Sequence, residues 1–201
     1  MNTMNTRENL LDSAETLARQ RGFDGFSFAD LEAAVGIRKA SIHYHFPTKG
    51  DLSLALMSRY AEMFADRLHA ITATHPTAGA RLLAFIDLYR QAHEGGRSLC
   101  LCTALSVTQD ALPQASRDAL DQFHHGVSTW LAAVFRLALT DATISAVTDP
   151  HAEAAAALAQ VEGAQVMARA ARDPARFEAA ITTLRARALT RIGPTENCDV
   201  R

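Results

Sequence analysis

At 201 residues, 48% of them apolar and only 6% aromatic, the chain is long enough for one or two domains with a buried core, and its abundant alanine favours closely packed helices over sheets. A net charge of -2 excludes polyanion binding by bulk charge, so any nucleic-acid contact must come from a local patch. The longest strongly apolar run, near Ser98–Val107, is too short to span a bilayer, and no charged-then-apolar leader opens the chain. A cytoplasmic location without a membrane partner is expected.

In chain order, Met1–Thr6 is polar and expected to fray. From Arg7 to Arg21, Leu10, Leu11, Ala14, Leu17 and Ala18 recur at three- and four-residue intervals, the stripe of an amphipathic helix. Gly22 ends it, and Phe23-Asp24-Gly25-Phe26 reads as a turn carrying two aromatic plugs. Ser27 caps a short second helix, with Asp30 three residues on completing an acidic capping box and Phe28, Leu31, Ala34 and Val35 on its buried face. Gly36 makes the next turn and Arg38–Phe46 forms a third helix. Pro47 stops it, and Thr48 caps a long fourth helix from Lys49 towards Ala73. Beyond His75-Pro76-Thr77, helices are expected at about 78–94, 98–110, 116–139, 150–172 and 174–191, with a polar tail after Gly193-Pro194.

Three helices in about forty residues, the last two joined by a glycine turn, give the helix-turn-helix layout. Its third helix holds the chemistry. The only two lysines of the chain, Lys39 and Lys49, lie ten residues apart, with Arg38 beside the first and Ser41, His43, Tyr44 and His45 between them. Arg38, Lys39 and Ala40 would stand at the N-terminal end, nearest the base edges. Lys39 can donate to guanine O6 or N7, and Ala40 can pack on a thymine methyl. Tyr44 adds an apolar or hydroxyl contact one turn later. Ser41, His43 and His45 have the reach for backbone phosphates. Lys49 and Ser27 stand at helix N-termini, where exposed N–H groups favour an anion. Against this, residues 1–60 carry seven Lys/Arg and seven Asp/Glu, so the positive charge matters only if it is segregated to one face. The plainer reading is a solvated helix with ordinary surface charge.

Leu11-x-x-Ala14, Gly22-Phe23, Asp30-Leu31, Gly36-Ile37, Ser41-Ile42, Tyr44-His45-Phe46-Pro47 and Lys49-x-x-Leu52 together resemble the N-terminal domain of the TetR (tetracycline-repressor-like) transcriptional regulators. The resemblance implies base contacts from Lys39, Ala40 and Tyr44, and phosphate contacts from Ser27, Ser41, His43, His45 and Lys49. Four positions depart from the pattern: His43 replaces the usual Tyr, Arg38 a Ser, Phe26 a Thr and Glu32 an Ala. Further on, Glu162–Ala170 followed by Asp173-Pro174 is similar to the penultimate helix of many such proteins, whose last two helices pair with their twofold mates.

The expected architecture is therefore all-α, with a helix-turn-helix DNA-binding domain over residues 1–48, a helical effector-binding and dimerisation domain over 49–193, and a disordered tail over 194–201. Phe85, Tyr89, Cys102, Phe123, His124 and Trp130 are the candidate ligand-binding residues, with His93, His125 and Gln165 as further polar anchors. Cys100 and Cys102 are open to three readings: inert buried thiols, a reactive sensor at Cys100, or a metal site completed by a histidine. Two residues apart on a helix, they would point to opposite sides, so neither a metal site nor a cofactor is expected.

The implied function is a non-enzymatic transcription regulator. It would be a homodimeric repressor binding an inverted-repeat operator in double-stranded DNA and released by a small-molecule or thiol-reactive effector. An activator would share every feature. The alternatives are a helical thiol/histidine enzyme using Cys102 and His124-His125 with a vestigial head, and a DNA-binding adaptor controlled by a protein partner.

Overall fold

The computed structural model describes the backbone of residues 3–189 and the side chains of residues 6–188, and within them the chain forms nine α-helices and no strand. The helices are α1 (Thr3–Arg21), α2 (Phe28–Val35), α3 (Lys39–His45), α4 (Lys49–Thr74), α5 (Ala78–Ala92), α6 (Leu101–Ser106), α7 (Gln114–Asp141), α8 (Pro150–Ala171) and α9 (Ala175–Leu189). The tail expected over 194–201, with Cys198 in it, lies outside the described residues. Thr3–Thr6, expected to fray, instead forms the first turn of α1.

Helices α1, α2 and α3 close over the α1 stripe. Leu10, Leu11, Ala14, Phe23, Phe26, Leu31, Ile42 and Phe46 are buried together with Leu52 and Leu56 of α4. Between α2 and α3, Gly36 takes the left-handed conformation (φ 71°) and returns its N–H to the Glu32 carbonyl, which a side-chain-bearing residue would do under strain. Helix α4 begins at the Pro47 break and serves both halves. Leu52 and Leu56 join the core of the head, while Phe64, Leu68 and Ile71 face the body. In the body, α4, α5, α7, α8 and α9 pack against one another, and α6 wedges between α1, α4 and α7.

One segment departs from the expected helix over 98–110. Only Leu101–Ser106 is helical, preceded by an extended Cys100 (φ -63°, ψ 155°) and followed by a short 3-10 turn at Gln109–Ala111. The physical reason is a buried competitor for the backbone. The Gln165 side chain accepts the Cys100 N–H at 2.9 Å, and the Cys100 sulfur accepts the Thr103 N–H at 3.4 Å as the helix cap. Just upstream, Gly95 and Gly96 take positive φ; a Cβ on Gly96 would meet the Ala168 carbonyl oxygen at 3.0 Å, so the chain runs tight along α8 here.

Capping boxes set the starts of α2 and α4. The Ser27 and Thr48 hydroxyls and N–H groups donate to Asp30 and Asp51, whose own N–H groups return to the hydroxyls. Hydrogen bonds from Ser27 and from Thr48 hold the two carboxyls below the ordinary aspartate value of 3.8. A carboxyl with a lowered folded pKa contributes stability above its unfolded pKa and loses it as the pH falls through the folded one. Asp51→Asn should therefore lower the melting temperature near neutral pH, with the gap to the unaltered chain narrowing below pH 3.8. A gap constant across that acid range would contradict this role for Asp51.

Candidate nucleic-acid interface and effector region

The exposed face of α3 collects Arg38, Lys39, Ala40, Ser41, His43 and Tyr44, while Ile42 and Phe46 are buried beneath them. Tyr44 is 77% exposed, more than any other large apolar side chain described, so its ring is kept for a surface other than the core. His45 is half-buried between the rings of Tyr44 and Phe46.

Where the head's carboxylates go accounts for a positive edge on a neutral domain. Arg59 of α4 binds Asp12 at 2.7 Å, Glu15 at 3.0 Å and Glu8 at 3.3 Å, which draws three acids of α1 to the side of α4. Asp30 and Asp51 are held in the caps, and Asp30 also meets Arg21 at 3.3 Å. No acidic partner meets Arg38 or Lys39 among the described residues. The charges are segregated, and the free cations lie on α3.

Two of the expected phosphate donors are engaged within the head. The Ser27 hydroxyl donates to Asp30 at 2.7 Å, which leaves the first-turn N–H groups of α2 as what that cap presents outward. The Lys49 ammonium donates to the Phe23 and Phe26 carbonyls at 2.5 and 2.6 Å and lies 4.6 Å from the centroid of each of their rings. Burial lowers its pKa, opposed by Asp24 and Asp30. An ammonium has three protons; two are spent on the α1–α2 turn and one remains. Lys49 is thus a tethered cation rather than the free clamp the sequence suggested. His43 is also placed: its Nδ1 lies 3.1 Å from the Pro47 carbonyl oxygen and its ring meets Phe28 edge-on. Since that oxygen only accepts, Nδ1 carries the proton and Nε2 can donate only from the charged ring.

In the body, a groove of about 440 Å³ opens between α4 and α7, walled by Met57, Phe64, Leu68, Phe123, Val127 and Trp130, with Glu62, His69 and Gln122 as polar rim. Of the candidate ligand residues, it brings together Phe123 and Trp130. Phe85 stacks behind Trp130 in the core, Tyr89 and Cys102 are fully buried, and His124 turns to Glu162, with Nε2 3.3 Å from Oε1. His125 is exposed, and His93 is a buried core histidine whose Nδ1 accepts the Gly96 N–H. Gln165, read as a ligand anchor, is instead a structural bridge: it accepts the Cys100 N–H and donates to the Tyr89 carbonyl at 2.7 Å.

The thiols are not on opposite sides. Because Cys100 is extended and Cys102 lies in the first turn of α6, their sulfurs come within 3.1 Å, with Thr103 Oγ1 2.8 Å from Cys100 and Glu162 Oε1 3.8 Å from Cys102. Burial, together with its neighbour Cys100, pushes the Cys102 thiol well above its ordinary pKa. Glu162 carried no sequence signal of its own, since it reaches the thiols only through tertiary packing.

The segment before Cys100 is fastened to the head. Arg19 of α1 donates to the Leu99 carbonyl at 2.9 Å and the Ala92 carbonyl at 2.6 Å, and the Leu99 N–H returns to the Arg19 carbonyl at 3.1 Å. Arg169 of α8 donates to the carbonyls of Arg19, Gln20 and Arg97. The residue before Cys100 is thus hydrogen-bonded in both directions to Arg19 at the end of α1.

Two family descriptions match the chain: "Bacterial regulatory proteins, tetR family" over residues 10–56 and "Tetracyclin repressor-like, C-terminal domain" over residues 78–184. The HTH-type transcriptional repressor NemR of Escherichia coli K12 is 26% identical over 83% of this chain and 85% of its own length. The transcriptional regulator AcuR of Cereibacter sphaeroides is 30% identical over 75% of this chain and 70% of its own. The crystal structure of a TetR-family transcriptional regulator from Agrobacterium tumefaciens superposes with a TM-score of 0.88 at 28% identity, covering 94% of this chain and all of that one. No described helix is long and apolar enough to cross a membrane.

Loss of the Gln165 bridge is open to a direct test. Gln165→Leu strands one buried N–H and one buried carbonyl, and should cost about 2–4 kcal/mol, read from urea unfolding at fixed protein concentration. A loss below about 0.5 kcal/mol would remove the bridge from the account of this segment.

Proposed function

The chain belongs to the TetR family of bacterial DNA-binding transcriptional regulators, and from that premise we propose that it is a homodimeric repressor released from an inverted-repeat operator when an effector enters the body. The observation that carries the reading is the segregation of charge: Arg38 and Lys39 stand unpaired at the start of α3, while Glu8, Asp12 and Glu15 of α1 are gathered by Arg59 and Asp30 and Asp51 are held in the caps of α2 and α4. Lys39, Ala40 and Tyr44 read base edges, with Arg38 beside them. Ser41, His43, His45, the first turn of α2 at Ser27 and the remaining proton of Lys49 position the duplex backbone.

A second copy supplies the second half-site. The outward face of α8 fits a twofold contact. Ala152, Ala155, Ala156, Ala159, Gly163, Val166, Met167 and Ala170 are all exposed, an apolar strip without a charge, and nothing lies within 4 Å of where a Gly163 Cβ would stand. Another helix can approach closely there.

The effector acts as a population shift. A ligand seated between α4 and α7 favours a state in which α4 has swung, and because α4 begins directly after α3 this changes the distance between the two recognition helices. A thiol-reactive effector would act at the Cys100–Cys102 pair and reach α1 through Leu99 and Arg19. This regulator has no need of a cofactor or of catalysis, and it works in the cytoplasm.

Two outcomes test the interface and one tests the dimer. Lys39→Ala should relax base preference at one position of each half-site by about 1–3 kcal/mol, and selection of an unchanged operator from random DNA would count against it as a base reader. Lys49→Met should reduce the slope of log binding constant against log salt by about 0.9 while also lowering the melting temperature; an unchanged slope leaves Lys49 as a clamp of the α1–α2 turn only. Met167→Glu should give monomers in sedimentation velocity and weaken operator binding by roughly tenfold or more, and a dimer that survives it with full affinity places the twofold elsewhere.

A further inference from the structure

We propose that Cys100, Cys102 and Glu162 form a binding site for a thiophilic divalent cation of the zinc–cadmium class, with His124, which contacts Glu162, able to swing in as the fourth donor. The three donor atoms of Cys100, Cys102 and Glu162 lie within 4.8 Å of one another. The site follows from backbone geometry that sequence spacing hides: an extended cap residue followed by a helical first turn sends both sulfurs to one side, where two helical positions would have sent them apart.

The distances suit such an ion. Metal–sulfur bonds of about 2.3 Å and metal–oxygen or metal–nitrogen bonds of about 2.0–2.2 Å, in a tetrahedron, require ligand edges of roughly 3.8 Å between sulfurs, 3.5 Å from sulfur to oxygen and 3.4 Å from oxygen to nitrogen. The corresponding separations are 3.1 Å for Cys100–Cys102, 3.8 Å for Cys102–Glu162 and 3.3 Å for Glu162–His124. The sulfur pair must part by about 0.7 Å, and His124, which meets Glu162 but lies outside the 4.8 Å cluster, must move towards the sulfurs. Two soft sulfurs, one carboxylate and one imidazole select against magnesium and calcium, which require oxygen shells.

A second observation points into the same cluster. The Tyr89 hydroxyl is buried and has no hydrogen-bond partner, and it lies close enough to Cys102, Cys100 and Glu162 to feel their charges. An orphaned buried donor costs free energy, and a metal-bound thiolate sulfur is a stronger acceptor than a thiol. His124 Nε2 is likewise without a properly directed hydrogen bond. Binding is a plain exchange: the dication takes two sulfur lone pairs, the two thiol protons leave to solvent, and no electrons move. With Glu162 ionised and His124 neutral, the loaded site carries one net negative charge. The way in passes the partly exposed side chains of Glu162 and His124, with the thiols at the bottom.

The consequence for DNA rests on the regulator reading. Parting the sulfurs moves Cys100, the residue after Leu99, whose backbone is hydrogen-bonded to Arg19 of α1. Cation binding then shifts the head.

The test uses the full chain carrying Cys198→Ser, which removes the only other thiol, kept reduced and titrated with cadmium chloride. The expected result is an ultraviolet thiolate-to-metal absorption band that saturates at one cadmium per chain. It should be lost in Cys100→Ser and in Cys102→Ser, and weakened at least about tenfold in Glu162→Gln. Glu162 is partly exposed, so that variant keeps the test valid even if a buried serine disturbs folding. Absence of the band in the reduced chain, or a band of unchanged size and affinity in either serine variant, overturns the site. Fluorescence anisotropy with operator DNA is the separate arm: cadmium should weaken binding by the unaltered site and fail to do so at the same concentration in Glu162→Gln. A site that fills while DNA affinity stays constant overturns the coupling and leaves the metal site standing.

Discussion

The buried amide of Gln165 is the interaction on which the geometry of the body depends. It is fully buried on α8, and both ends of its side chain are used, one on the Tyr89 carbonyl near the end of α5 and the other on the Cys100 N–H ahead of α6. In a helix running unbroken from 98 to 110 the Cys100 N–H would stand in the first turn, where no carbonyl of the helix reaches it. The glutamine takes that N–H while Cys100 is extended and caps α6 with its sulfur, so α6 starts at Leu101 and the preceding chain lies along α1. Three features follow from one side chain: the converged sulfurs, the shortness of α6 and the Leu99–Arg19 joint. A polar group with no exposure is tolerated because every hydrogen bond it needs is made.

A domain with as many acids as bases binds a polyanion only if the acids are turned elsewhere. Here Arg59 does that work from outside the helix-turn-helix, gathering Glu8, Asp12 and Glu15 onto the α1–α4 seam. The same network fastens α1 to α4, so the arrangement that frees the field around α3 also makes the head follow α4. Fold rigidity and interface electrostatics have a common cause, and an effector that displaces α4 cannot leave α1 behind.

Much of the head was legible because its determinants are local. Ser27 with Asp30, Gly36, and Pro47-Thr48 with Asp51 each act within three or four residues, and the structure places α2, α3 and the start of α4 where those signals put them. The body was less legible where tertiary contacts outrank local preference. Helix periodicity extended α6 across Cys100, since nothing in Leu99-Cys100-Leu101 announces a glutamine sixty-five residues away. Chemical type likewise named Tyr89, Cys102, Phe85 and Gln165 as lining, although aromatic and amide groups serve a core equally well, and only Phe123 and Trp130 of the six named ligand residues face the groove. Lys49 shows the same limit from the other side. Its position at a helix N-terminus suggested a phosphate, while two carbonyls of the preceding turn, free of helical partners, are nearer acceptors.

On the proposed reading, these joints would give the body two mechanically distinct routes to the recognition helix. One is α4, a single rigid rod that leaves the α4–α7 groove and ends beside α3. The other is the 92–100 segment, which meets the far end of α1 through Arg19 and is braced by Arg169 of α8. Since α8 also carries Gln165, Glu162 and the apolar strip proposed for a second copy, a change at the sulfurs would be felt on that side of the body, whereas a ligand in the groove would act on the flank. Both routes end on α1 and α4, which Arg59 holds as one unit. Two inputs that bias the same rigid element combine as free energies on one equilibrium, so occupancy of either site alters the work left for the other. A head fixed at both ends of α1 would turn as a body rather than bend locally, and on the proposed reading that turn is what would change the separation of paired recognition helices.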